Sequence, residues 1–261
     1  MNILILTAST GGGHKSAASA LKNTIEKTDP ATRVEIHDAI KYCGRLYNKF
    51  ICGGYVMLAT KTPRLYGRLY DLSDKESILN DICNHFNTHE GKKLISLFNQ
   101  FKPDVVISCH AFITTMLAGL KRKKLIDFPA ISLITDFTPH KTYFFPEIEA
   151  YVTPCDNITE EIVTENGIER DRLYPLGIPI AEKFYKPSDK NKIAKDLGFS
   201  PDKQTVLLMA GSFGVTEVLK IFESFCSRGV DCQCIIVTGK NKKLYGALTN
   251  FYTAPGFPAK A

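Results

Sequence analysis

No C-x-x-C pair occurs in this sequence, although it holds eight cysteines, at positions 43, 52, 83, 109, 155, 226, 232 and 234. A disulfide framework would pack its cysteines more densely and a zinc site would show paired ligands, so reduced thiols and no metal site are expected. Long apolar runs are missing as well. None approaches the ~20 residues that cross a bilayer, and the nearest, VVISCHAFITTMLAGL, is interrupted by His110 and several hydroxyls. The opening MNILILTAST carries no charged segment ahead of its short apolar stretch, so it reads as a strand and not as a secretory signal. Acidic residues are absent from residues 40–70.

What is present suits a folded enzyme-sized chain. With 261 residues, 44% hydrophobic and 23% charged, it can bury a substantial core as one large domain or two ordinary ones. The net charge of +6 is unevenly placed. Within residues 40–70, Lys41, Arg45, Lys49, Lys61, Arg64 and Arg68 interleave with five tyrosines and several aliphatics. The four-residue spacing of Lys41, Arg45 and Lys49 predicts a helix with the three charges on one face. No nucleic-acid module accompanies the patch, so nucleic acid is not an expected partner. An anionic membrane surface suits it better, because each basic residue near such a surface contributes ~1 kcal/mol and tyrosines favour the headgroup region. A plain solvated helix face accounts for the same residues.

Along the chain, strands alternate with helices. NILILTA, RVEIHDA, PDVVISCH, PAISLITDF and AYVTPC read as strands; KSAASALKNTIEK, EGKKLISLFNQFK, AFITTMLAGLKRK and NITEEIVTENG read as helices. In EGKKLISLFNQFK, Leu94, Leu97, Phe98 and Phe101 fall on one face. Such alternation predicts a parallel sheet covered on both sides, with ligands beyond the carboxyl ends of its strands. Those ends hold Ser9 to His14, His110, Asp136 to His140, and Pro154 to Asp156. A polar stretch, KPSDKNKIAKDLGFSPDKQ, then reads as a linker with one short helix. The pattern restarts with TVLLMAGSFG, a helix VTEVLKIFESFCSRG and a strand CQCIIVTG. The fold class expected is α/β, with two Rossmann-type domains in tandem, each opening on a glycine turn. The boundaries expected are 1–180 for the first domain, 181–203 for the linker and 204–261 for the second.

The first turn, LTASTGGGHKSAASAL, is neither of two familiar phosphate loops. A nucleotide hydrolase needs G-x-x-x-x-G-K-[ST], but Ser9 and His14 stand where its glycines belong. The dinucleotide fingerprint fails because Ser16 replaces its last glycine. Its chemistry survives without either label. Gly11, Gly12 and Gly13 let the backbone approach an anionic or polar group closely, and the following helix offers unpaired amides at its positive end. His14 is held at the turn as a proton acceptor near neutral pH.

Taken together, STGGGHKSAASAL, KTPRLYGRLYD, TDFTPHKTYF, YPLGIPI and LLMAGSFG resemble the monogalactosyldiacylglycerol synthase and processive diacylglycerol glucosyltransferase family, of GT-B architecture. The resemblance runs from residue 1 to about residue 245. It implies transfer of a hexose from a UDP-sugar to membrane diacylglycerol with inversion, without cofactor or metal, at the cytoplasmic face of the cell membrane. His14, Asp136 and His140 would be catalytic, with the choice of base open between His14 and Asp136. Gly11, Gly12, Gly13 and His110 would line the acceptor and phosphate site. Gly211, Ser212, Phe213 and Gly214 would hold the donor diphosphate on backbone amides. Lys41, Arg45, Lys49, Lys61, Arg64 and Arg68 would meet the anionic membrane surface.

The chain departs from that family at its end. Residues 205–261 are few for a nucleotide-binding domain of about 100 to 150 residues, and the family's acidic, sugar-gripping segment has no counterpart. The expectation is a C-terminally truncated transferase whose second domain is incomplete and whose activity as this chain is in question. Two other readings stand beside it: a non-catalytic membrane- and acceptor-binding remnant, and a GT-B transferase with a polyprenyl-linked acceptor.

Overall fold

Aliphatic side chains on both faces of the opening run make it a central strand, β1 (Asn2–Thr7), whose residues 3–7 are all buried. In the computed structural model, which describes residues 1–9, 12–49, 51, 78–138, 140–211 and 217–252, the chain divides into two units, Met1–Phe184 and Tyr185–Ala261. β1 leads into α1 (Gly13–Thr28) and then β2 (Arg33–Asp38). Further along come α2 (Ala39–Tyr42), α3 (Arg45–Asn48), α4 (Ile78–Gly91), a 3-10 turn over Lys92–Leu94 and α5 (Ile95–Phe101). The unit closes with β3 (Val105–Ser108), α6 (Ala111–Arg122), β4 (Ala130–Leu133), β5 (Ala150–Val152), α7 (Asp156–Asn166) and β6 (Leu173–Tyr174).

All six strands are parallel, in the order β2-β1-β3-β4-β5-β6. Alternation along each strand sends neighbouring side chains to opposite faces. Ile3, Ile5 and Ile107 pack with Ala17 and Ala18 of α1 on one face. Leu4, Leu6 and Val106 pack with Ile113, Met116, Leu117 and Leu120 of α6 on the other. Each fully buried aliphatic of this kind contributes about 1.5–3 kcal/mol. α4 and α6 cross closely because Gly91 and Gly119 carry no side chain there. A Cβ on Gly119 would lie 1.9 Å from Thr88 Oγ1, and one on Gly91 would lie 2.9 Å from Met116 Cβ.

Several sequence expectations change. Lys41, Arg45 and Lys49 do not share one helix: α2 stops before Gly44, whose φ of 128° and ψ of 160° lie far from helical values, and α3 starts anew. The three residues are exposed, but Lys41 pairs with Asp38 at 3.4 Å. EGKKLISLFNQFK is likewise not one α-helix, since the 3-10 turn precedes α5; Leu94, Leu97, Phe98 and Phe101 are all buried as expected. α4 and the two-residue β6 had no sequence signal.

In the second unit, β7 (Thr205–Met209) pairs in parallel with β8 (Gln233–Val237). α8 (Lys190–Asp196) precedes them, α9 (Glu217–Ser227) lies between them, and α10 (Lys242–Tyr252) follows. Leu208, Cys234 and Ile236 pack with Val218, Phe222, Leu244 and Leu248. Among the described residues, the other sheet face carries exposed apolar side chains, Leu207 at 56% and Met209 at 66%. Residues 181–184 group with the first unit, where Glu182 meets Lys27 at 3.1 Å. The rest of the expected linker groups with the second, where Ser200 and Gln233 exchange two hydrogen bonds of 3.0 and 2.6 Å.

Candidate functional site

The strand order 2-1-3 makes a topological switch point between β1 and β3, since the chain leaves those neighbours in opposite directions along the sheet. The turn after β1 delivers His14 into the first turn of α1. The turn after β3 delivers His110, and the two rings stand 4.6 Å apart, edge to face. From the end of β4, the next strand over, Thr135 brings its hydroxyl within 2.8 Å of His14 Nδ1. Asp136 follows, exposed, its Oδ2 accepting a 2.7 Å hydrogen bond from the Tyr143 hydroxyl. Three segments thus meet at the carboxyl rim of one sheet.

The electrostatics of the pair of rings differ. Burial lowers the His14 pKa below its ordinary 6.5, opposed by the nearby Asp136 charge and by a hydrogen bond to the Cys109 backbone. The ring is therefore neutral at pH 7, with a carboxylate beside it to favour any positive charge it acquires. His110 is pushed down to about 3, by burial first and by His14 second. Its Nδ1 accepts the Phe112 amide at 3.2 Å and so caps α6. Ser108, Thr114 and Ser132 hydroxyls, 3.0 and 3.1 Å apart in sequence of contact, fill the space beneath that turn. The Cys109 thiol, pushed up to about 12 by burial, stays protonated.

His140 is 5% exposed, and its Nδ1 takes the Thr142 amide at 3.2 Å and the Thr142 hydroxyl at 2.7 Å, capping the 3-10 turn Lys141–Tyr143. Gly12 precedes α1 without a side-chain cap, and both it and Gly13 are exposed. The early amides of such a helix lack intrahelical partners, so its positive end faces the rim beside His14. Gly211 closes β7 with a φ of 66°, a left-handed value that a Cβ would strain. Gly177 of YPLGIPI, at φ 85°, donates its amide to the Thr153 carbonyl at 3.0 Å and ties that motif to the end of β5. Gly11, Ser212, Phe213, Gly214, Lys61, Arg64 and Arg68 lie outside the described residues.

Three rim residues were not singled out from sequence. Thr135 and Tyr143 hold His14 and Asp136, and the only linear clue was their adjacency to a strand end and to TDFTPH. Asp38, ending β2, accepts from the Ser9 hydroxyl and caps α2 through the Lys41 amide at 3.0 Å. Among the described residues, no group of three or more His, Cys, Asp or Glu is placed to hold a metal ion. No described helix is long and apolar enough to cross a membrane.

Known proteins resemble this chain in sequence and in fold. Processive diacylglycerol beta-glucosyltransferases of Bacillus licheniformis and Staphylococcus saprophyticus are 30% and 28% identical over 251 and 252 residues. Each alignment covers 95% of this chain but only 63% and 62% of the relative, so the chain spans less than two thirds of their length. Anabaena HepE, solved in complex with UDP-glucose, superposes with a TM-score of 0.52 at 11% identity, over 99% of this chain and 67% of that one. A UDP-GlcNAc 2-epimerase from Neisseria meningitidis, bound to UDP-GlcNAc, gives 0.50 at 13% identity, over 100% and 73%. Those likenesses place the fold as GT-B-like α/β. The family described as monogalactosyldiacylglycerol (MGDG) synthase matches residues 14–180, from the rim histidine of α1 through the YPLGIPI turn. By that match, which takes in β2 to β6 and His14, His110, Thr135, Asp136 and Tyr143, the chain belongs to the monogalactosyldiacylglycerol synthase family.

Proposed function

We propose that this chain carries the acceptor side of a transferase that moves a hexose from a UDP-sugar to the hydroxyl of membrane diacylglycerol, with inversion. The observation that carries the reading is the His14, Thr135 and Asp136 cluster at the sheet's switch point, beside the exposed amino end of α1. In the step proposed, the lipid oxygen bonds to the sugar's anomeric carbon as that carbon's bond to UDP breaks. UDP leaves with the electron pair, and neutral His14 accepts the hydroxyl proton. Asp136 stabilises the imidazolium that forms, and Thr135 orients the ring. The donor-side candidate is the GSFG stretch of residues 211–214, whose backbone amides would serve the diphosphate.

Membrane contact at the cytoplasmic face belongs to the same proposal. Arg45 and Lys49 flank Leu46, which is 85% exposed, and basic residues around an exposed aliphatic suit an anionic lipid surface. The names of the curated relatives support diacylglycerol as the acceptor.

Transfer from labelled UDP-glucose and UDP-galactose to diacylglycerol in anionic vesicles tests the reading. His14→Ala and Asp136→Asn are expected to reduce transfer by at least ~100-fold, the usual range for a positioned proton acceptor. Because the His14 pKa is lowered, activity is expected to hold steady through pH 7 and fall only at a midpoint below 6.5. Vesicle binding without transfer by the unaltered chain would replace the catalytic reading with that of an acceptor-binding module.

A further inference from the structure

We propose that Thr135 and Tyr143 are positioning residues of the rim, Thr135 acting through the His14 ring and Tyr143 through the Asp136 carboxylate. This rests on the reading that His14 and Asp136 handle the acceptor proton, and it names the groups that set their geometry. Thr135 Oγ1 stands 2.8 Å from His14 Nδ1. In the arrangement proposed, that hydroxyl accepts from Nδ1–H, which orients the ring and favours the tautomer whose Nε2 is bare to receive the acceptor proton. Tyr143 is buried in the core, and its hydroxyl donates to Asp136 Oδ2 at 2.7 Å.

The turn that carries Tyr143 is itself braced. His140 caps its amide end, and Thr115 of α6 donates to the Thr142 carbonyl at 3.4 Å. The carboxylate is thus tied through Tyr143 to a buried turn, although Asp136 itself is exposed. Facing His14 are Asp136 from the loop after β4 and His110 and the Cys109 backbone from the turn after β3. Lys15 neighbours it on α1. Of these only Asp136 is anionic, and Tyr143 decides where that charge sits.

The test uses the full chain labelled with 15N-histidine, with His14 assigned by its disappearance in His14→Ala. Unaltered protein is expected to show a single His14 tautomer. Thr135→Val should mix the tautomers, and Thr135→Ser, which keeps the hydroxyl, should restore the single form. Tyr143→Phe, which keeps the packed ring, should lower the His14 titration midpoint, because the carboxylate that raises it is no longer held close. An unchanged tautomer in Thr135→Val, or an unchanged midpoint in Tyr143→Phe, would overturn the proposal. These readouts need no sugar transfer, so an inactive wild type would count against the functional reading alone. If the wild type transfers sugar, Thr135→Val should lower kcat by ~10-fold or more with KM for lipid little changed.

Discussion

His110 and His14 face each other at 4.6 Å, yet their hydrogen bonds give them different work. His110 accepts a helix amide at Nδ1, which requires that nitrogen unprotonated, and burial holds its pKa at about 3. The unfolded chain binds a proton at this residue below pH 6.5, while the folded chain refuses it down to about 3. Stability supplied by the neutral, capping ring is therefore full above pH 6.5 and declines as pH falls below it. Urea unfolding midpoints at pH 7.5 and pH 5 should show this. His110→Asn, whose side-chain oxygen can accept the same amide, should make the pH dependence shallower. His110→Ala should lose about 1 kcal/mol at pH 7.5, as a lost cap does, and less at pH 5, where the wild type has already given up part of the stability linked to its neutral ring. Equal pH slopes in wild type and His110→Asn would contradict the assignment. A histidine beside a strand end is a catalytic candidate in sequence; only its contact with the Phe112 amide shows that it caps a helix.

Helices and strands were legible in proportion to how much of their periodicity the core uses. β1, with aliphatics on both faces, and α6, with Ile113, Met116, Leu117 and Leu120 buried, announce themselves. α4 does not, because ILNDICNHFNTHEG mixes Asn, His and Thr through its length. Its packing relies on small residues instead, and Gly119 on α6 is where α4 comes closest. Gly119→Ala is expected to destabilise the first unit by about 1–3 kcal/mol, since its Cβ would overlap Thr88. Thr88→Ala on the same background should recover part of that loss, and full stability of Gly119→Ala alone would refute the close crossing. The break at Gly44 was equally hidden. Lys41, Arg45 and Lys49 keep a helical spacing, and only the backbone angles at Gly44 show that two short helices carry it.

The two units differ in how completely their sheets are covered. The first has six strands with packed side chains on both faces. The second has, among the described residues, two strands with one apolar face exposed at Leu207 and Met209. Sheets of so few strands gain little stability of their own. Amide exchange should therefore be slowest in β1, β3 and β4 and markedly faster in β7 and β8. Equal protection in the two sheets would show that the second is stabilised by contacts beyond its own core. Leu207→Thr, on the exposed apolar face, should leave the exchange of the first unit unchanged.

Hydrophobic periodicity was enough to read an α/β chain, because burial imposes its two- and 3.6-residue periods on the linear order. The same local logic placed His14 and Asp136 at strand ends. It could not make them neighbours. That required β1 to pair with β3 and β3 with β4, a lateral ordering set by packing between segments about a hundred residues apart. Pairing across the sheet brought Thr135 to His14, whereas Tyr143 reaches Asp136 within one loop and His110 and His140 cap a helix and a turn through contacts two residues on. Side-chain type is a property of one position, whereas a hydrogen-bond partner is a property of the folded rim.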